Sequence, residues 1–264
     1  MSNKNGTAVV TGASSGIGAI YADRLAKRGY NLLLVARDEE RMKKLASKLT
    51  ASYGIEVEIL RADLTKHTDV VKLEERLKTD AAISMLVNNA GMASAGPIAA
   101  ANADTLENLI NLNITALTRL TVAVVPSFVA RKAGTIINIA SVVALNPELI
   151  GAAYSGSKAY VLNFTQALQA EVKDSGVRVQ AVLPGATSTE LWDRSGFPLS
   201  HLPSEMVMSA EDMVDAALVG LDKNEQITIP SLPEEKDWQN FISARQALGP
   251  NLSRSQPAAR YKLN

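Results

Sequence analysis

What most constrains this chain is an alternation of short aliphatic or β-branched runs with longer stretches of helical spacing. Thr7–Thr11, Leu32–Ala36, Val57–Leu60, Met85–Asn88, Thr135–Ala140, Val177–Leu183 and Ile227–Ile229 read as strands. Between them the spacing predicts helices near Ile17–Arg28, Glu39–Tyr53, Thr68–Thr79, Ala103–Arg131, Tyr154–Ser175 and Ala210–Leu221. Apolar residues there recur at three and four, as in Leu106, Leu109, Ile110, Ile114 and Leu117. Strands apolar on both faces and joined through helices form βαβ units with right-handed crossovers. The expectation is an α/β fold: a single-domain, doubly wound parallel sheet of about seven strands, with helices on both faces.

No Ser/Gly/Pro-rich linker and no fixed-period repeat interrupts the alternation, so residues 1–264 are expected to form one domain. Two segments stand outside it. Ser188–Met208 carries Pro198, Pro203 and the exposed-looking Leu191, Trp192 and Phe197, and reads as a loop or lid after a strand. Ser231–Asn264 is punctuated by proline and reads as a C-terminal tail with one helix near Glu234–Leu248. Hydrophobic residues make up 47% of the chain but aromatics only 5%, so the core has to be aliphatic. Cysteine is absent, which excludes disulfides and thiolate chemistry; with His67 and His201 as the only histidines, no metal site is expected. Lys+Arg and Asp+Glu balance at 27 each, which speaks against a polyanion binder and so against a nucleic-acid partner. Met1–Gly6 is polar, and runs such as Leu32–Ala36 and Ala81–Val87 are too short to span a membrane, so a soluble, cytoplasmic chain is expected.

The sharpest local feature is Thr11-Gly12-Ala13-Ser14-Ser15-Gly16-Ile17-Gly18, directly after the first strand and opening the first helix. Glycines let backbone N–H groups approach a diphosphate at a helix N-terminus, where the dipole favours negative charge. The spacing is G-x-x-x-G-x-G, and no Gly-Lys-Ser/Thr follows to make a P-loop. A ligand-free strand–helix turn has the same composition. Asn88-Asn89-Ala90-Gly91 follows the fourth strand, at the carboxyl edge where such sheets bind ligands, although Asn-Asn-Ala-Gly by itself reads as a plain turn.

Tyr154 and Lys158 stand four apart in Tyr-Ser-Gly-Ser-Lys and share one helix face. A phenol ordinarily titrates near 10, and a neighbouring ammonium favours the phenolate. A solvated helix face shows the same pair. Ser141, however, ends the Thr135–Ala140 strand at the same sheet edge, where its hydroxyl is placed to meet a carbonyl oxygen while Tyr154 delivers a proton. Asn113 is a polar residue between Leu112 and Ile114 in a helical pattern and needs a reason to be there; Asn111 is expected to face another way.

With these motifs in register, the chain resembles the short-chain dehydrogenase/reductase family across about residues 5–230. The matches are Thr11–Gly18, Asn88–Gly91, Pro184-Gly185, and Asn113, Ser141, Tyr154 and Lys158 in order. The resemblance implies a Rossmann fold and a catalytic tetrad: Tyr154 as general acid or base, Lys158 on the nicotinamide ribose and lowering the Tyr154 pKa, Ser141 orienting the carbonyl, and Asn113 holding a relay water. It also implies cofactor contacts from Gly12, Ser14, Ser15, Gly16, Ile17, Gly18, Asn89, Ala90, Gly91, Tyr154, Lys158, Pro184, Gly185, Thr187 and Thr189, with Asp63 and Leu64 at the adenine. In family register the acidic position of NAD-dependent members falls on Ala36 and the arginine of NADP-dependent members on Arg37. NADP(H) is therefore favoured, with NAD(H) the alternative; Ser15, where many NADP-dependent relatives carry a basic residue, weighs the other way.

Val142–Pro147, Leu149–Ile150 and Leu191–Met208 are mostly apolar and carry no Arg/Lys cluster. A medium-sized, largely apolar ketone, aldehyde or secondary alcohol is expected as substrate. The family's usual oligomer surfaces fall on Ala103–Arg131 and Tyr154–Ser175, implying a homodimer or homotetramer. A dinucleotide-binding sensor or scaffold on the same fold is the rival reading; a methyltransferase explains neither Tyr154 and Lys158 nor Asn88–Gly91.

Overall fold

Aliphatic runs too short for helices and apolar on both faces need to be buried on both sides, and one sheet does this for all of them. The computed structural model describes residues 5–196 and 199–261. Within them, β1 (Thr7–Thr11), β2 (Asn31–Ala36), β3 (Val57–Arg61), β4 (Ile83–Asn88), β5 (Gly134–Ile139), β6 (Val177–Val182) and β7 (Ile227–Thr228) form a sheet of order β3-β2-β1-β4-β5-β6-β7. Every pairing is parallel, from Val9 opposite Leu33 and Leu86 to Ile137 opposite Gln180. All the strands therefore end at one edge, and the order reverses beside β1. A doubly wound sheet binds its ligand at that place. The fold is the expected Rossmann-like α/β architecture.

Helices α1 (Gly16–Lys27), α2 (Glu39–Tyr53) and α3 (His67–Thr79) follow the first three strands. Asp38 caps α2 by accepting from the Arg41 N–H at 3.0 Å, and Gly54 ends it in the left-handed region. The core has two main faces. Val10, Tyr21, Leu25, Leu34, Met85, Met213 and Leu218 meet on one, and Val9, Leu73, Leu86, Leu120, Phe128 and Ile136 on the other.

The expected helix Ala103–Arg131 is instead α4 (Ala103–Ile110), a π-helical turn (Asn111–Ala116) and α5 (Leu117–Ala130). The wide turn sits where Asn113 enters the interior and bonds both backbone groups of Met92, so a side-chain anchor and the irregularity coincide. Taken together, Ala103–Ala130 is 28 residues with an 18-residue stretch of mean hydropathy 1.5, long and apolar enough by those measures to cross a membrane, unlike the shorter runs singled out in the sequence. Here its apolar face is spent on the core: Leu109, Ala116, Leu120, Val124 and Phe128 are buried, and Arg119 Nη2 reaches Glu74 of α3 at 2.9 Å.

α6 (Ala152–Glu171) starts before Tyr154 and ends before Ser175. Its start is set by Gly151, which lies so close to the 94–96 backbone that a Cβ there would be 2.9 Å from the Ser94 carbonyl oxygen. α7 (Leu191–Ser195) and two short 3-10 turns occupy the predicted lid, followed by α8 (Ala210–Asp222). Phe197 and Pro198 lie outside the described residues.

The described residues up to Pro230 form one compact unit and those from Ser231 onward a second, smaller one. The second contains α9 (Glu235–Ala247), close to the predicted helix, with Trp238 stacked on Phe241 and no buried residue in the helix.

Candidate active site

The glycine turn owes its shape to close approach. Gly12 has φ +67°, and a Cβ on Gly18 would lie 2.3 Å from the Gly12 carbonyl oxygen and 2.5 Å from Asn89 Nδ2. Asn89 binds the turn directly, donating from Nδ2 to the Thr11 carbonyl at 2.8 Å. Thr11 completes the knot: its hydroxyl accepts from the N–H groups of Asn89 and Ala90, both at 3.0 Å, and donates to the Val87 carbonyl. Sequence reading missed Thr11, although it ends the first strand. Ser15 stands at the α1 N-cap without a side-chain cap, so the first N–H groups of the helix face the turn. That turn, with Ser14, Gly16 and Ile17, has the shape and the donors an anionic diphosphate needs.

Tyr154 and Lys158 occupy the first two turns of α6, both almost wholly buried. Lys158 Nζ donates to the Ile139 carbonyl at 2.8 Å, at the end of β5, and lies 5.8 Å from the centre of the Tyr154 ring. Burial pushes the Tyr154 phenol up to about 12, against a smaller opposing effect of the Ser141 hydroxyl. Burial likewise pushes the Lys158 ammonium down to about 8. The net shift of the phenol is upward, desolvation outweighing the Ser141 hydroxyl. Ser141 also donates weakly to the Pro184 carbonyl at 3.3 Å, which puts the Pro184-Gly185 turn beside it.

The Asn113 side chain is engaged with protein on both sides of its amide. Its amide donates to the Met92 carbonyl at 2.9 Å and to Ser157 Oγ at 3.0 Å, and its oxygen accepts from the Met92 N–H. Ser157 in turn donates to the Tyr154 carbonyl at 2.7 Å. Both amide hydrogens are thus committed to protein, and Asn113 ties the 92 loop to the tyrosine's own turn. Ser157 was invisible as a site residue in the sequence, where it is one small residue among several. Asn111 is half-buried and Asn113 buried, in line with their expected difference.

A family model described as "short chain dehydrogenase" matches residues 6–196. The chain belongs to the short-chain dehydrogenase family. A short-chain dehydrogenase of Sphingobium yanoikuyae, solved in complex with NADPH, superposes with TM-score 0.95 at 48% identity, covering 97% of this chain and 100% of that one. An alcohol dehydrogenase of Comamonas testosteroni, described as specific for bulky-bulky ketones, has TM-score 0.90 at 43% identity over 97% of this chain and 98% of its own. Among curated proteins, a human "inactive hydroxysteroid dehydrogenase-like protein 1" is 37% identical over 193 residues, 72% of this chain and 58% of that protein. The chain spans about 60% of the length of the first curated relatives it matches.

Arg37 is exposed at the end of β2, with no ion pair among the described residues. Asp63 is occupied locally, its Oδ1 accepting from the Thr65 N–H and hydroxyl, while Leu64 is buried beside it. Gly91 lies against Asn113 and Lys158: a Cβ there would be 3.3 Å from Asn113 Oδ1 and 3.7 Å from Lys158 Nζ. Thr187 donates to the Gly185 carbonyl at 3.1 Å, and the Thr189 side chain rests on the glycine turn, 3.1 Å from where a Gly16 Cβ would be.

The lid is less exposed than its sequence suggests. Leu191 packs against a cluster of Ala93, Leu109, Val143 and Tyr154, together with Met92 and Ile150, so an apolar lid residue joins the packing around the tyrosine. Trp192 is half-buried and donates from Nε1 to the Thr187 carbonyl at 2.9 Å. A cavity of about 180 Å³ opens beside the first turn of α6, walled largely by small residues, among them Ser94, Ala95, Gly96, Ala152 and Ala153.

Proposed function

We propose that this short-chain dehydrogenase interconverts a carbonyl and a secondary alcohol with NADP(H), using Tyr154 as general acid and base. The observation that carries the reading is the buried Tyr154 phenol, held between Ser141 and Lys158 at the same sheet edge as the glycine turn. A nicotinamide cofactor, when bound, supplies or accepts the hydride. Tyr154 manages the proton. Held well above neutrality, it is a protonated donor for the oxygen of a reduced carbonyl, and in the reverse direction it takes the proton back. Ser141 orients that oxygen. Lys158, with its ammonium brought near neutrality, is the nearest cation to the phenol and the group that favours proton release from it.

NADP(H) is favoured by the exposed Arg37 guanidinium, available to pair with a 2′-phosphate, and by the Sphingobium neighbour's NADPH. The substrate reading is an uncharged, largely apolar ketone with bulky groups. The apolar cluster of Leu191, Val143, Ile150 and Met92 around Tyr154 supplies apolar contact, a cavity walled by small residues opens at the neighbouring start of α6, and the Comamonas neighbour is described by such substrates. Assembly into a homodimer or homotetramer is supported by apolar residues left exposed along α4 and α5: Ile110, Val122 and Val129.

A non-catalytic dinucleotide binder is the second reading, favoured by the human relative described as inactive. A panel of bulky aryl and alkyl ketones, followed by loss of NADPH absorbance with NADH in parallel, separates the two. Turnover with NADPH is the expected result. Tight NADPH binding without turnover on any ketone would select the binder, and preferential use of NADH would overturn the cofactor assignment.

A further inference from the structure

The segment after β6 travels farther than its length suggests. It leaves the sheet at Pro184, next to Ser141 of the β5 end, and places Thr189 on Gly16 of the turn after β1. One residue later, Glu190 receives both oxygens' worth of contact from Arg41 Nη1, at 2.8 Å and 2.8 Å. Arg41 lies in the first turn of α2, which follows β2. In the order β2-β1-β4-β5-β6, residues 184–190 therefore run across the carboxyl ends of β5, β4 and β1 and are tied down beyond them. The middle of this segment is fastened too, by the pairing of Thr187 with Met208, and five residues past Glu190 the Ser195 carbonyl accepts from the Ala95 N–H at 3.1 Å.

We propose that Arg41 and Glu190 are a positioning pair that holds residues 184–190 as a strap over the cofactor cleft and limits how fast the cofactor leaves. The proposal rests on the cofactor reading above. A dinucleotide with its adenosine end at Arg37 and its reactive end at Tyr154 has to lie along the trench that the strap crosses. Thr189 rests on the turn at Gly16, so the strap closes on the glycine turn at that crossing. Arg41–Glu190 ties the strap to α2. Arg41 also faces Asp38, at 3.4 Å, which keeps the guanidinium on the strap's side of the helix start. Both partners are about half-exposed, so the tie is the part that opens most readily and the part that salt weakens.

The test is NADPH release, read by stopped-flow displacement of the fluorescent cofactor. Glu190→Gln is expected to release NADPH about two- to fivefold faster than wild type at low salt, with the two proteins converging in high salt. Because the chain has no cysteine, Arg41→Cys/Glu190→Cys can be joined selectively by a short bismaleimide. Joined after loading, it is expected to retain NADPH at least about tenfold longer than the same protein unjoined. An unchanged release rate in Glu190→Gln, slower release from it, or free exchange in the joined protein would each overturn the strap. Failure of wild type to bind NADPH at all would overturn the cofactor reading itself, and is seen before any variant is made.

Discussion

The glycine cradle and the tyrosine pocket sit on one edge of one sheet and treat their polar groups in opposite ways. In the cradle the groups satisfy one another: the Thr11 hydroxyl takes two N–H groups, and Asn89 returns a hydrogen bond to the Thr11 carbonyl. In the pocket, Tyr154 and Lys158 are taken out of water nearly completely, and burial drives both toward their neutral forms. The cradle is a matter of shape, stable as built. The pocket keeps two titratable groups where folding alone gains nothing from them, which is what a site prepared for proton transfer looks like.

Lys158→Met is the largest way to break the contrast. Turnover is expected to fall by about 10²–10⁴-fold, while stability at neutral pH rises by up to about 3 kcal/mol as a buried charge is removed. The sign follows from a folded value near 8 against an ordinary 10.5. Below pH 8 the folded lysine is a buried cation and the penalty is whole. As pH rises from 8 toward 10.5 the folded form is already neutral, and the advantage of methionine fades. Melting curves at neutral and alkaline pH check this, and a variant less stable than wild type at pH 7 would contradict it.

In the cradle, Gly18→Ala drives a methyl into the Gly12 carbonyl and is expected to weaken NADPH binding at least about tenfold, measured by fluorescence titration, with about 1–3 kcal/mol of stability lost. Arg37→Ala is expected to weaken NADPH about tenfold and to leave NADH unchanged by the same titration. Thr11→Val strands two N–H groups and is expected to cost about 2–3 kcal/mol in denaturant unfolding, whereas Thr11→Ser keeps the hydroxyl and most of the stability.

The two regions also differed in how far the sequence exposed them. Strand positions came within two residues because aliphatic runs bounded by turns announce buried strands, as with β1 and β6. Gly12, Gly16 and Gly18 were legible because close approach of backbone demands glycine. Tyr154 and Lys158 were legible by helical spacing, but the direction of their titration was not, since burial belongs to the packed chain. The π turn at Asn111–Ala116 was hidden because the apolar spacing runs on through it, and Thr11 because its partners lie more than seventy residues away. The Arg41–Glu190 pair spans 149 residues and leaves no local signature.

The central claim, that Tyr154 carries the proton in a carbonyl reduction, is tested most directly by Tyr154→Phe. NADPH affinity and ketone-dependent NADPH oxidation are measured on the same preparation beside wild type. The expected result is turnover reduced by about 10³-fold or more with NADPH affinity within about threefold of wild type. Substantial ketone reduction by the phenylalanine variant would contradict the account.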